Sequence, residues 1–300
     1  MLASGPPCTV HLVDGTYELF RAYFAVPSQR TANGGEIGAT RGLIQTLLAL
    51  LEKAEVTHIA CAFDHVIESF RNRLFEGYKT GVGLPDELTS QFTLAEQASA
   101  ALGIVTWPMV EYEADDALAT AAARFENDAR VGKIVICSPD KDLLQCVRHD
   151  RVVCWDRQRD RRYDEAGVVE KLGVSPRLVP DFLALVGDSA DGIPGIRRWG
   201  KSSAARVLMA HGSLEAIPSA VSELRTNVRG ADALLAELAA QRAEAALYKR
   251  LATLATDVPL AEGLEELAYR GARRPAFEAL CERLEAPRLI ERVSRWASES

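Results

Sequence analysis

Five short apolar runs punctuate the first half of the chain: "TVHLVDG", "THIACAFD", "GIVTW", "KIVICSPD" and "DRVVCW". Runs of this length, rich in β-branched and aromatic residues and closed by polar positions, predict strands. Between them the apolar residues recur at helical spacing, as in "ATRGLIQTLLALLEKA". Strands alternating with helices predict an α/β fold with a mainly parallel central sheet. Beyond residue 175 the strand pattern fades. "SPRLVPDFLALVGDSADGIPGIRRWGKSSAARVLMAHGS" reads as helix, Gly/Pro turn, helix, and the tail from about 230 to 298 has a helical pattern. No internal repeat or low-complexity linker interrupts the chain, so the expected domain boundary near 175 is marked only by the change of pattern.

In open parallel sheets, sites form beyond the carboxyl ends of the strands. Asp14 and Asp64 end the first two runs, and Asp140 lies just past the fourth. The stretch "EYEADDALATAAA" follows the third run and crowds Glu113, Asp115 and Asp116 at a predicted helix start. A helix N-terminus welcomes one or two acids, because its unpaired N–H groups carry partial positive charge. Capping and a functional cluster are both open for this stretch taken alone. Residues 78–90, "YKTGVGLPDELTS", form a Gly/Pro-bearing loop that reads as a connector or as a lid or arch at the same edge. "DRQRDRRYDE", 156–165, mixes both signs and reads as a solvated loop.

The acids in favourable places are Asp14, Asp64, Glu113, Asp115, Asp116, Asp140, Asp142, Asp188 and Asp191. If they converge, like charges a few ångströms apart cost several kcal/mol or neutralise by protonation. Divalent cations remove that cost. All-oxygen ligands suit Mg²⁺ or Mn²⁺ and not zinc, which prefers His and Cys. Two such cations activate water and stabilise a leaving oxygen in phosphoryl transfer, which explains a need for roughly three or four carboxylates per ion.

Composition narrows the class. The 300 residues are 48% hydrophobic and 26% charged, which is ordinary for a globular protein of about two domains. No apolar run reaches the ~18 residues of a membrane span, and "MLASGPPCTVHLVDG" lacks the basic-then-apolar order of a signal peptide. Cys8, Cys61, Cys137, Cys146, Cys154 and Cys281 show no C-x-x-C spacing and read as free thiols of a reducing compartment, the cytoplasm. The net charge of −7 argues globally against nucleic acid. Nine acids held for metal would account for that sign, and a local basic track can still bind DNA.

"LVDG", "AFD", "SFRNRLFEGYK", "EADD", "SPDKDLLQ" and "GDSADGIPGIRRWGKSSA" occur in that order. Together they resemble the bacterial 5′-nuclease family, the 5′→3′ exonuclease domain of DNA polymerase I and its free-standing flap-endonuclease relatives, over about residues 9 to 270. The resemblance implies a PIN-like metal-dependent nuclease core over 8–175, with a helical arch at about 70–95. It also implies a helical DNA-binding domain over 176–300, with a helix–three-turn–helix (helix-hairpin-helix-type) element at about 185–210. It makes all nine acids metal ligands for two or three Mg²⁺ or Mn²⁺ ions. It gives Lys79 the role of stabilising the scissile phosphate, with Arg71, Arg21 and Arg73 in support. The implied activity is 5′→3′ exonuclease and 5′-flap endonuclease cleavage by two-metal-ion water attack. The implied partners are DNA with 5′ flaps, nicks or 5′ ends, RNA–DNA hybrids, and replication or repair proteins, for a monomer with no membrane contact. Val82 stands where the family carries a phosphate-contacting Arg, and "RWG" at 198–200 replaces the turn that holds K⁺ through backbone carbonyls.

The turn also has its own logic. Gly195 and Gly200 let backbone approach phosphate, the helix start near Ser202 offers N–H groups to an anion, and Arg197, Arg198 and Lys201 add charge. Such a clamp contacts the DNA backbone without reading sequence; the same residues also read as a basic surface turn. Tyr78 reads either as a platform for a terminal base or as core. The rival readings of the whole chain are a catalytically weak DNA-junction-binding protein of the same fold, which would have lost acids, and a PIN-type ribonuclease, which would be roughly half this length.

Overall fold

The computed structural model describes residues 7–53 and 55–298. In chain order the elements are strand β1 (Cys8–Asp14), helices α1 (Gly15–Ala25) and α2 (Gly38–Leu51), and β2 (His58–Asp64). Next come α3 (Asp86–Thr89), α4 (Phe92–Ala101), β3 (Val105–Met109), α5 (Ala114–Phe125) and β4 (Val131–Cys137). Then follow β5 (Val152–Asp156), β6 (Arg161–Tyr163), α6 (Glu165–Leu172), α7 (Val179–Val186) and α8 (Lys201–His211). The last helices are α9 (Ala231–Ala240), α10 (Arg242–Ala252) and α11 (Arg274–Arg283). All five apolar runs are strands. No helix among the described residues is long and apolar enough to cross a membrane.

The chain divides into two compact units. The first comprises the chain up to Ile67, Gly81–Ser138 and the chain from Thr256 onward; the second comprises Glu68–Thr80 and Pro139–Ala255. The first unit carries the parallel strands in the order β3-β2-β1-β4. Val10, Leu12 and Val13 of β1 are fully buried, as a strand covered on both faces requires. Helix α5 packs against all four strands. Its buried face is largely alanine, so its axis can approach the sheet closely, and its N-terminus opens at the carboxyl edge of the strands. Helix α2 turns Leu43, Ile44, Leu47, Leu48 and Leu51 inward at helical spacing and packs on α1 and α4.

In the second unit, β5 and β6 pair antiparallel, with Cys154 opposite Tyr163. Helix α7 buries Phe182, Leu183 and Leu185 and packs against α8 and α10.

Three stretches differ from the sequence expectation. Residues 156–165 are not simply a solvated loop, because they contain β6. The buried ring of Tyr163 points inward while Arg161 and Arg162 remain exposed. Their guanidiniums lie over the rings of Tyr163 (5.1 Å) and Trp155 (4.8 Å), so mixed charge conceals a strand. The expected arch, 70–95, holds a short 3-10 turn at Phe70–Arg73, the four-residue α3 and the start of α4. Between 74 and 85 it is irregular, since Gly77, Gly81 and Gly83 weaken helix and Pro85 can only start one. Val82 there is 89% exposed.

The tail is not helical throughout either. Residues 253–273 are non-helical, and part of them lies along the start of β2: Ile59 N–H donates to the Leu267 carbonyl and Tyr269 N–H to that of Thr57. That pairing satisfies backbone groups no helix would supply. It places the chain from Thr256 onward in the first unit, so the compact units do not follow the boundary expected at 175.

Candidate metal centre

In the first unit the acids line the carboxyl edge of the sheet. Asp14 lies in register with Ala62 and Asp64 with Met109. Asp14 Oδ1 accepts from Tyr17 N–H (2.8 Å), capping α1, and Oδ2 accepts from Ser138 Oγ (2.9 Å). Asp64 N–H donates to Thr16 Oγ1 (2.7 Å), and Asp64 Oδ1 accepts from Ala114 N–H at the start of α5 (2.7 Å). Asp116, fully buried, accepts from Glu113 N–H through Oδ2 (3.0 Å). Glu113 is buried as well, and Asp115 is half-buried. The capping reading holds here: backbone N–H groups at helix starts fix the carboxylates of Asp14, Asp64 and Asp116 along one edge.

The second unit contains the tighter group. Asp142, Asp188 and Asp191 bring carboxylate oxygens within 4.8 Å of one another, and this is the only such trio among the described residues. Asp142 N–H donates to Asp140 Oδ1 (2.9 Å), and Ala190 N–H to Asp188 Oδ1 (3.1 Å), so each acidic pair is folded into its own turn. Lys141 Nζ lies 2.5 Å from Asp188 Oδ2 and Lys79 Nζ 3.0 Å from Asp191 Oδ1. Burial, followed by the charges of Asp140, Asp191 and Asp188, pushes the Asp142 carboxyl well above the usual range. Asp142 is 5% exposed, and its Oδ1 is buried without a hydrogen-bond partner. An orphaned carboxylate oxygen, an all-oxygen donor set and strong mutual repulsion fit a hard divalent cation.

Arg71 is corrected by its surroundings. It is fully buried, and its Nε and Nη2 donate to the carbonyls of Leu251 (2.8 Å) and Thr253 (3.1 Å). It anchors its segment to the end of α10, and its guanidinium is engaged by the protein's own backbone. Tyr78 is buried, which removes the stacking reading and leaves core packing. Lys79, on the same segment, is partly exposed. Its position is set by Asn72 Nδ2 donating to its carbonyl (2.9 Å) and by its own N–H donating to the Asp191 carbonyl (3.0 Å). Gly192 permits that approach: a Cβ there would stand 2.1 Å from the Gly77 carbonyl oxygen. Arg21 pairs with Glu18 (2.6 Å) and donates to Thr46 Oγ1 (2.9 Å) while remaining partly exposed. Arg73 is exposed.

At the basic turn, Gly195 serves the protein's own packing. It is buried with φ +73°, and a Cβ would stand 2.5 Å from Gly187 N. Gly200 is the open position, with nothing within 4 Å of its Cβ site. Its N–H donates to Ser203 Oγ (3.2 Å) at the start of α8. Arg197, Lys201 and Ser202 are exposed. Arg198 adopts φ +68°, with Nε 3.4 Å from Glu237. Trp199 is buried and donates through Nε1 to the Leu234 carbonyl (3.0 Å). Trp199→Phe is expected to cost about 0.5–1.5 kcal/mol, the net worth of one hydrogen bond to a carbonyl that lies within α9, measured by urea denaturation.

Sequence reasoning missed Ser138, Thr16, Asn72 and Lys141. Ser138 and Lys141 lie inside the quoted run "SPDKDLLQ", where their position beside named acids was the available signal; Thr16 and Asn72 carried none beyond proximity.

Two family models match the chain in succession. Residues 9–173 match the 5′-3′ exonuclease N-terminal resolvase-like domain, and residues 174–275 match the 5′-3′ exonuclease C-terminal SAM fold. DNA polymerase I of Mycobacterium bovis is 34% identical over 291 residues, covering 95% of this chain and 31% of the polymerase. The chain thus spans about a third of the length of the curated relatives it matches. Among solved structures, phage T5 5′-exonuclease with bound zinc superposes with a TM-score of 0.68 at 16% identity, over 92% of this chain and 98% of that one. The T5 flap endonuclease in a pseudo-enzyme-product complex with DNA and metal ions gives 0.65 at 19%, over 92% and 99%. At these identities the likeness is one of fold.

Proposed function

The chain belongs to the 5′-3′ exonuclease family, and from that membership we propose that it is a structure-specific 5′ nuclease hydrolysing DNA phosphodiesters at 5′ ends and 5′ flaps. The observation that carries this reading is the convergence of Asp142, Asp188 and Asp191 around a carboxylate oxygen that no donor satisfies. Asp140 joins that trio as a ligand. Asp14, Asp64, Glu113, Asp115 and Asp116 form the ligand set of the first unit. Divalent cations held by these acids, Mg²⁺ or Mn²⁺, supply Lewis-acid stabilisation of phosphoryl oxygens and lower the pKa of a water.

The chain's own groups do the rest. Lys79 stabilises charge on the phosphate under attack, while Arg71 and Asn72 hold its segment in place. Arg21 supports the first unit's edge from α1. Gly200, Lys201 and Ser202 take DNA phosphate at the start of α8, with Arg197 and Arg198 adding charge. A monovalent cation on the carbonyls of the 195–200 turn belongs to the same proposal. So do RNA–DNA hybrid substrates, a monomeric state, and the division of labour between a catalytic part ending near 175 and a DNA-holding part after it.

The test compares a 5′-flap duplex, a nicked duplex and single-stranded RNA, each with Mg²⁺, Mn²⁺ or EDTA. Flap and nick cleavage with either cation is expected, falling on the order of a thousandfold in EDTA, with little cutting of the RNA. Tight flap binding without cation-dependent cleavage would identify a junction-binding protein instead, and preferential cutting of the RNA would identify a ribonuclease.

A further inference from the structure

Two lysines stand inside the acidic cluster of the second unit, and phosphate stabilisation accounts for only one of them. Lys141 Nζ contacts Asp188 Oδ2 at 2.5 Å, and Lys79 Nζ contacts Asp191 Oδ1 at 3.0 Å. Both carboxylates belong with Asp142 to the trio of converging oxygens. Neither contact is incidental to the backbone. Lys141 lies between Asp140 and Asp142 in the turn closed by the Asp142 N–H to Asp140 Oδ1 bond, so its Cα travels with the two acids. Asp188 Oδ1 is taken by Ala190 N–H, which leaves Oδ2 for Lys141. Lys79 is tied to Asp191 a second time through its own N–H.

We infer that Lys141 and Lys79 are built-in counter-ions of this cluster, and that a divalent cation binds in competition with their ammonium groups. The inference rests on the cation reading proposed above. Asp140, Asp142, Asp188 and Asp191 carry four negative charges when ionised, and the two lysines return two, leaving a residual of −2. Without that compensation, carboxylates packed this closely would repel one another. With it, the cluster stays assembled before a cation arrives. The same ammonium groups then repel the incoming ion and hold the oxygens it needs. Cation loading therefore has to move them from Asp188 and Asp191. Lys79, partly exposed and tethered by its main chain, is released toward solvent, where a phosphate can take it up.

The test is Mn²⁺ binding by calorimetry, with the melting temperature of the metal-free protein as a second readout. Lys141→Met is expected to bind Mn²⁺ about tenfold more tightly than the parent, the size of one nearby positive charge removed, and to melt at lower temperature without metal. Lys141→Arg, which keeps the charge, is expected to bind within about twofold of the parent. Lys79→Met, at the rim, carries the same expectation with a smaller step and serves if Lys141→Met does not fold. Unchanged or weaker Mn²⁺ affinity in both methionine variants would overturn the inference while leaving the cation site standing. Mn²⁺ affinity that Asp142→Asn leaves intact would remove the cation reading itself, and the inference with it.

Discussion

Asp142→Asn is expected to leave binding of flapped DNA near the parent's level while slowing its cleavage on the order of a thousandfold. In the absence of divalent cations it should also melt higher than the parent. The two effects share one cause. Asp142 is buried among Asp140, Asp188 and Asp191, and burial together with those charges holds its carboxyl well above the usual range. A folded-state pKa above the unfolded value means that the native protein grips the proton more tightly. Ionised Asp142 therefore subtracts stability as pH rises from the ordinary carboxylate range through the raised value. Asparagine keeps the shape and cannot ionise. The melting-temperature gap between variant and parent should thus be widest at neutral pH and close on acidification. Added Mg²⁺ should narrow it at neutral pH by stabilising the parent more than the variant. Single-turnover flap cleavage and thermal melts across pH with and without Mg²⁺ check each part. A variant that cuts normally removes Asp142 from the site.

Arg71→Ala is expected to lose about 3–5 kcal/mol of unfolding free energy, read by chemical denaturation. It removes a fully buried side chain from beneath two carbonyls, and that of Leu251 would be left in the interior without the arginine, while that of Thr253 lies nearer solvent. Arg71→Lys should recover part of that loss, because an ammonium can reach one carbonyl but lacks the fork that meets both. Activity should fall in both variants below their melting temperatures. The segment that Arg71 anchors also carries Lys79, through the Asn72 bond to the Lys79 carbonyl. A slack anchor moves the ammonium away from Asp191. Wild-type stability in Arg71→Ala would mean that the burial is not what holds the segment.

The strands and the ends they present were legible because a parallel sheet buried on both faces writes itself as unbroken apolar runs, and an acid at the end of such a run stands out. Asp14, Asp64 and Asp140 were found in that way. The hairpin strand Arg161–Tyr163 was not, because its outward arginines lie on aromatic rings instead of alternating with apolar side chains. The extended stretch within 253–273 was not legible either, since its hydrogen-bond partners lie some 200 residues earlier, at Thr57 and Ile59.

Sequence alone determined the five strands written as apolar runs, the acids at or just past their ends and the oxygen-only character of the candidate donor set. These depend on neighbours a few positions apart, whose geometry periodicity and backbone sterics dictate. Only the tertiary structure decided that Asp142, Asp188 and Asp191 converge, that Lys141 joins them, that Tyr78 and Arg71 lie inside the protein, and that Gly195 faces backbone instead of phosphate. A charged or aromatic side chain reads the same in the chain whether solvent or a distant carbonyl receives it. Which of the two does so is settled when remote segments pack, by whether a buried polar group finds its partner there.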